Sequence, residues 1–296
     1  MSRMDEQTLR AGREADPTSL RAFVAADLAR AVELWAAAFG IELPDEEARR
    51  SARERLAFSL GTDPRGSFVA ESDGALVGLA QALQRGRLWV LSSLAVVVEA
   101  RGGGLGGALL ERAFAYGAPG SSRLIVSSND PSALALYTRM GLQLSPTVQA
   151  EGRIRGAAAG RASRWFREGG AGDVAGLEEI SREVRGAPHT REILFALQRG
   201  DARLLLGEQA FSVVRPGHGV WLLAARDEDE AAALLVSSLA LAGECERTSV
   251  RWVTEDQRWA LEVFESAGMR VERYGALCFD GEPGALSPFI PSGAFA

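Results

Sequence analysis

The chain contains no lysine; every basic side chain is arginine. That excludes a P-loop nucleotide site, whose motif needs a lysine on the phosphates. Cysteine and histidine are nearly as scarce, with 2 of each among 296 residues. Cys245 and Cys278 form no metal-ligand spacing, and with only His189 and His218 beside them no metal centre is expected. So few cysteines fit a reducing cytoplasm. No apolar run approaches the roughly 20 residues that span a bilayer. The first residues, MSRMDEQTLRAGREAD, carry both signs of charge, unlike a signal peptide. A net charge of −6 gives no reason to expect a nucleic-acid partner and suits, in a general way, a cationic amine. The hydrophobic share of 47% and charged share of 24% are those of a soluble globular protein with room for two domains.

Glycine, by contrast, is concentrated where it matters. Residues 94–114 read LAVVVEARGGGLGGALLERAF: a β-branched strand, a loop almost free of side chains, and the start of an amphipathic helix. Helix N-termini carry unpaired N–H groups and partial positive charge, and glycine lets a ligand reach the backbone. The combination suits a diphosphate. Two patterns fit. Gly102, Gly104 and Gly107 satisfy G-x-G-x-x-G, the dinucleotide fingerprint, which also needs an acidic residue about 20 positions on. The chain has Ser121, Ser122, Arg123 and Leu124 there. Arg101, Gly104 and Gly106 satisfy R-x-x-G-x-G after the strand that ends Leu94-Ala95-Val96.

With a second segment, SSNDPSALALYTRMGL at 127–142, the chain resembles the GCN5-related N-acetyltransferases, the GNAT family. The family's N-x-x-A-x-x-L-Y-x-x-x-G-F segment matches at Ala133, Leu136, Tyr137 and Gly141. Its asparagine position holds Asp130, with Asn129 one residue earlier, and its final Phe is Leu142. Asp130 followed by Pro131 also reads as an N-cap and first helical residue.

Hydrophobic periodicity gives an order of strand, two helices, three strands, helix, strand and helix over residues 18–150, which is the order of that family's fold. A hairpin is expected around Ser72-Asp73-Gly74. A flexible start over 1–17 precedes this domain and a linker, 151–163, follows it. The pattern then repeats over 164–282, with one strand expected over 204–214, followed by a tail, 283–296. The expectation is an α/β chain of two tandem acyltransferase folds, each a mixed, mostly antiparallel sheet flanked by helices, with a degenerate second copy. In that copy the glycine loop is replaced by AARDEDEAAALL, whose acids complement the helix dipole themselves and would repel a diphosphate.

What the resemblance implies is transfer of an acetyl group from acetyl-CoA, as co-substrate, to an amine of a small molecule or peptide. Backbone groups of Leu94, Ala95 and Val96 would hold the pantetheine arm. Those of Arg101, Gly102, Gly103, Gly104, Leu105, Gly106 and Gly107 would hold the diphosphate, with Asn129 beside them. Tyr137 would protonate the leaving thiolate. Its alternative is a packing role with the hydroxyl at the rim. No carboxylate stands at the strand position where some members carry a base; Glu71, or a water on Ser92 and Ser93, are the candidates. Trp35, Phe39 and Trp89 are candidates for an acceptor wall or for core. A non-catalytic acyl-CoA sensor is the alternative function. Neither a membrane nor a nucleic acid is expected as partner, and the chain is read as a monomer or homodimer.

Overall fold

The structure, a computed structural model, describes residues 18–153, 166–243 and 248–296. The expected flexible start and all but the first three residues of the expected linker lie outside them, as does Cys245.

The first half runs β1 (Ser19–Ala22), α1 (Leu28–Phe39), α2 (Glu46–Thr62), β2 (Ser67–Ser72), β3 (Ala75–Arg85), β4 (Leu88–Val96), α3 (Leu105–Tyr116), β5 (Ser122–Ser127), α4 (Pro131–Arg139) and β6 (Gln143–Gly152). The second runs β7 (Arg167–Gly169), α5 (Glu178–Arg185), α6 (Thr190–Gln198), β8 (Arg203–Leu206), β9 (Ala210–Arg215), β10 (Gly219–Ala225), α7 (Glu228–Ala242), β11 (Thr248–Thr254), α8 (Arg258–Ser266), β12 (Arg270–Asp280) and β13 (Phe289–Ile290). Local chemistry explains the ends. Asp45 and Asp130 cap α2 and α4 by accepting backbone N–H groups, and Asp73 and Gly74, both at positive φ, close the β2–β3 hairpin. The single strand expected over 204–214 is two strands, because the chain turns at Gly207, whose N–H returns to the carbonyl of Ala210. No helix among the described residues is long and apolar enough to cross a membrane.

All the strands join one sheet in the order β1-β2-β3-β4-β5-β12-β6-β11-β10-β9-β8-β7, with β13 on β10. The centre of that order is an exchange. β12, from the second half, lies between β5 and β6, pairing Ala276 with Ser127 and Asp280 with Arg123. Reciprocally, β6 pairs with β11. The alternation in β12 serves both faces. Ala276 and Cys278 join the core under α3 and α4, while Leu277 packs with Leu83, Leu88, Val90 and Leu124 on the other face. That face also carries α1, α2, α5 and α6. Phe58 of α2 stacks on Phe195 of α6 at 4.4 Å, and Phe295 of the tail meets both rings edge-on.

Polar groups cross the same junction. Buried Arg85 donates to Asp63 at 2.8 Å and to Glu192 of the second half at 2.6 Å, while Tyr116 donates to Asp63 at 2.8 Å. Burial pushes the Asp63 carboxyl up, but hydrogen bonds from the Gln84 N–H, Thr62 and Arg85 outweigh it and hold the group below its usual range. His189 lies deeper, its ring nitrogens 3.2 Å from the Ser181 hydroxyl and 2.9 Å from the Ala296 carbonyl. Burial, helped by the charge of Arg185, holds its pKa well below the usual value. The folded chain therefore keeps this ring neutral where the unfolded chain protonates it, at about pH 6.5 and below. The stabilisation is complete above that pH. It should fall by about 1.4 kcal/mol per pH unit as acid is added. Urea titrations at about pH 7.5 and 5.5 should show this loss in the native chain and much less of it in His189→Gln; equal losses in both would exclude His189 as the cause.

Candidate active site

β4 and β5 run parallel only from Leu88 opposite Ser122 to Leu91 opposite Ile125. Beyond that they part, and residues 93–96 pair with β3 alone. A bulge lies at the parting, between the Gln81 and Ala82 registers. Val97 donates to the carbonyl of Val77. Alternation from that bond turns the backbone of Ala95 to β3 and the N–H and C=O groups of Leu94 and Val96 to the open gap. The Val96 carbonyl accepts from Arg101 Nε at 3.0 Å, and Arg101 Nη2 reaches the Ala38 carbonyl at 2.9 Å. Arg101 thus ties the glycine loop to the end of α1 through its side chain.

Gly102 and Gly104 take φ of +85° and +82°, which glycine alone adopts without strain. A Cβ on Gly102, Gly103 or Gly104 would meet nothing within 4 Å, so the outside of the loop is bare backbone facing open space. Gly104 is the N-cap of α3 and offers no side chain to it. The first intrahelical bond runs from Ala108 N–H to the Gly104 carbonyl. The N–H groups of Leu105, Gly106 and Gly107 are therefore not used inside the helix, and they carry its positive dipole end. Gly106 and Gly107 lie near Leu136 of α4, which brings the loop and the Tyr137 segment together.

Tyr137 is 5% exposed, packed with Leu91, Ile125, Ala276 and Cys278. Burial first, then the neighbouring Cys278 and Asp130, raises its pKa, so the phenol holds its proton at any ordinary pH. Burial likewise pushes the Cys278 thiol up to about 12. Among the described residues nothing hydrogen-bonds the Tyr137 hydroxyl. Asp130 caps α4, accepting from Ser132 N–H at 2.8 Å. Asn129 is turned to the crossing strand, its carboxamide accepting from Gly275 N–H and donating to the Arg273 carbonyl.

The corresponding features of the second half are closed by the chain itself. Asp227 caps α7 by accepting from Glu230 N–H at 2.8 Å, and the Glu230 carboxylate accepts from the N–H groups of Glu208 and Gln209. β10 pairs in parallel with β11 only at Gly219 and Ser249, yet its edge farther on is not open. β13 fills it, with Leu223 opposite Ile290 and Ala224 opposite Phe289. Gln257 fixes β13 by accepting from the Phe289 N–H and donating to its carbonyl, both at 2.8 Å.

Of the other residues singled out from sequence, Trp89 is core, its indole donating to the Ala113 carbonyl beneath α3. Trp35 and Phe39 lie 5.7 Å apart on α1, and Phe39 is exposed. Glu71 is held by Arg21 at 2.6 Å and faces Arg30 at 3.7 Å, in a cluster with Asp27 beside β1. Ser92, at the bulge, meets the Ser59 hydroxyl of α2 at 3.0 Å. Trp252 of β11 reaches the end of β5, its indole donating to the Ser127 carbonyl at 3.2 Å, a contact for which sequence spacing carries no signal.

The acetyltransferase (GNAT) family model matches residues 28–142, so this segment is a domain of that family. A candidate acetyltransferase from Pyrococcus horikoshii superposes with a TM-score of 0.75 at 17% identity, covering 94% of each chain. A GCN5-related N-acetyltransferase from Sphaerobacter thermophilus gives 0.58 at 21%, over 90% of this chain and 96% of that one. A tandem GNAT protein from the clavulanic acid biosynthesis pathway gives 0.55 at 13%, over 89% and 98%. No curated protein matches in sequence. The chain has the GNAT fold in two copies, and family and fold together support acyl transfer.

Proposed function

We propose that the first copy transfers an acetyl group from acetyl-CoA directly to an amine. The observation that carries this reading is the contrast between the copies. The first keeps an open β4 edge beside an uncapped glycine helix, and the second covers both features with its own carboxylates and tail. Bound acetyl-CoA would supply the activated thioester. The residues present suit it: Leu94 and Val96 offer backbone groups to an amide-bearing arm, and residues 102–107 offer backbone N–H groups to a diphosphate. Ala95 shapes the strand with its backbone on β3, and Asn129 holds β12 in place.

Tyr137 is the general acid of this proposal, because its phenol packs with Leu91 where β4 parts from β5, on the helix that lies against the glycine loop. β4 itself, LWVLSSLAV, carries no carboxylate. The amine then arrives neutral or loses its proton to a water on the Ser59–Ser92 pair. Since the Tyr137 hydroxyl has no protein partner, Tyr137→Phe should fold with native stability. It should lose about a hundredfold in kcat with little change in KM for acetyl-CoA, read by coenzyme A release. Unchanged turnover at all pH values would remove Tyr137 from the reaction. Tight coenzyme A binding without transfer to any amine would favour the sensor instead.

A further inference from the structure

Two bulges in the second half converge on the turn that leads from β5 into α4, the helix of Tyr137. In β12, Tyr274 and Gly275 together stand opposite Thr147, between the pairs Arg273 with Val148 and Ala276 with Pro146. Gly275 takes φ of +72°, and a Cβ on it would lie 1.9 Å from the Ser127 carbonyl oxygen, so only glycine fits against the end of β5. β12 runs past that end. Its pairing with β5 stops at Ala276 opposite Ser127, which leaves the Gly275 N–H and the Arg273 carbonyl without a strand partner on that side. The Asn129 carboxamide supplies both bonds, accepting from the first and donating to the second at 3.2 Å. A side chain thus continues the ladder where the backbone has turned away.

In β11 the bulge carries Trp252 at φ of +59°, a conformation a tryptophan keeps only where its surroundings hold it. The Tyr274 ring lies 5.6 Å away, and Gly293 of the tail packs so closely that a Cβ there would come within 2.7 Å of the indole. The indole N–H is thereby aimed at Ser127, whose carbonyl accepts it at 3.2 Å. Three bonds from the second half hold residues 127–129, and the next residue, Asp130, caps α4. From the first half, Arg101 reaches Asp130 only at 3.9 Å, in a pair too exposed to fix a position. β12 also carries Ala276 and Cys278, which pack with Tyr137, so one strand meets the helix both at its start and at its tyrosine.

We propose that the second half is the positioning element of the first half's active site: Gly275 and Arg273 through Asn129, and Trp252 through Ser127, fix the β5–α4 turn and so aim Tyr137. This rests on the acid role of Tyr137 in the acyltransferase reading, and it gives a task to the copy whose own helix end is closed. Neither Asn129 nor Trp252 bonds the Tyr137 hydroxyl, so both act through the turn as positioning residues. Proton transfer needs its two heavy atoms within about 3 Å, and a displacement of about 1 Å can cost roughly a hundredfold in rate. A helix of 9 residues is too short to keep its place by its own stability, and a shift of the turn passes along it to Tyr137.

The test is nuclear magnetic resonance of the full chain, its tyrosines isotope-labelled, titrated with coenzyme A. The chain has 3 tyrosines, and Tyr137→Phe assigns the resonance of interest. In the native chain the Tyr137 signal should shift as the thiol arrives. Asn129 is exposed, so Asn129→Ala should fold; it should bind coenzyme A with native affinity and lose most of that shift. Trp252→Phe, which keeps a ring and removes the indole donor, should lose part of it and carries the test independently. Asp280→Asn breaks the ion pair with Arg123 at the far end of the same strand pairing and should keep the whole shift. A clamp with a merely structural role would lower the melting temperature and leave the Tyr137 response intact. If the native chain does not bind coenzyme A, the acyltransferase reading falls and takes this proposal with it. If it binds without moving Tyr137, the acid role and this proposal fall together. If native Tyr137 responds and both Asn129→Ala and Trp252→Phe respond as fully, or Asp280→Asn loses the response too, this proposal alone is wrong. Weakened coenzyme A binding by Asn129→Ala would make Asn129 a cofactor ligand and would also overturn it.

Discussion

Glu192→Ala is expected to destabilise the protein by about 3–5 kcal/mol, the range for stranding one partner of a buried ion pair. Glu192 is 0% exposed, and its Oε1 accepts from Arg85 Nε at 2.6 Å. Its other oxygen stands 3.8 Å from Arg185, itself wholly buried. Without Glu192, the two buried guanidinium groups would keep, among the described residues, Asp63 as their one side-chain counter-ion. A neutral replacement of the pair, Arg85→Met with Glu192→Leu, should recover part of the loss, because neither charge then needs solvation. Urea unfolding of the single and double variants measures both. A single-variant loss below about 1 kcal/mol would mean that the network adds little to the junction.

Ending the chain after Arg153 should abolish folding of the first half, although that segment contains the whole family match and Tyr137. β5 would lose its pairing along residues 123–127, and β5 and β6 would each present an open edge. The core under α3 and α4 would lose Ala276 and Cys278, and the opposite face would lose Leu277 and Phe295. Core deletions cost about 2–5 kcal/mol each for large side chains, against a total stability of about 5–15 kcal/mol. Circular dichroism and solubility of fragment 18–153 test this, and co-expression with fragment 154–296 should restore a folded complex. A fragment that folds alone with a cooperative melt would contradict the strand exchange as a structural requirement.

The sequence carries the parts of this account that depend on local chemistry. The glycine run, the Asp130-Pro131 cap, the Asp73-Gly74 hairpin and the acids at the start of α7 each state their conformation within a few residues. The duplicated order of elements was legible for the same reason. Strands β6 and β12 were not expected, because QLSPTVQAEG and RVERYGALCFD are mixed in pattern and gain their partners from the other half of the chain. β13 is a two-residue strand, too short to show a period. The closure of the second copy was legible in Asp227 and Glu230, but its plug by Phe289 and Ile290 depends on a pairing across more than sixty residues. Among site residues, the outward-facing backbone of Leu94 and Val96 follows from register, which sequence does not fix. Asn129 looked like a neighbour of the cofactor and is engaged with β12. Arg55 reads as one more arginine on a polar helix, and its place over the Trp35 ring comes from the packing of α1 on α2.

The account depends on one open glycine-capped helix end per chain. Calorimetric titration of the full chain with coenzyme A tests it most directly, using the native sequence and Gly103→Asp, which sets a carboxylate on the open face of the loop at a residue without positive φ. The native chain should bind one equivalent, and the variant should lose most of that affinity, since the carboxylate would repel the diphosphate. Two equivalents per chain, or undiminished binding by Gly103→Asp, would contradict it.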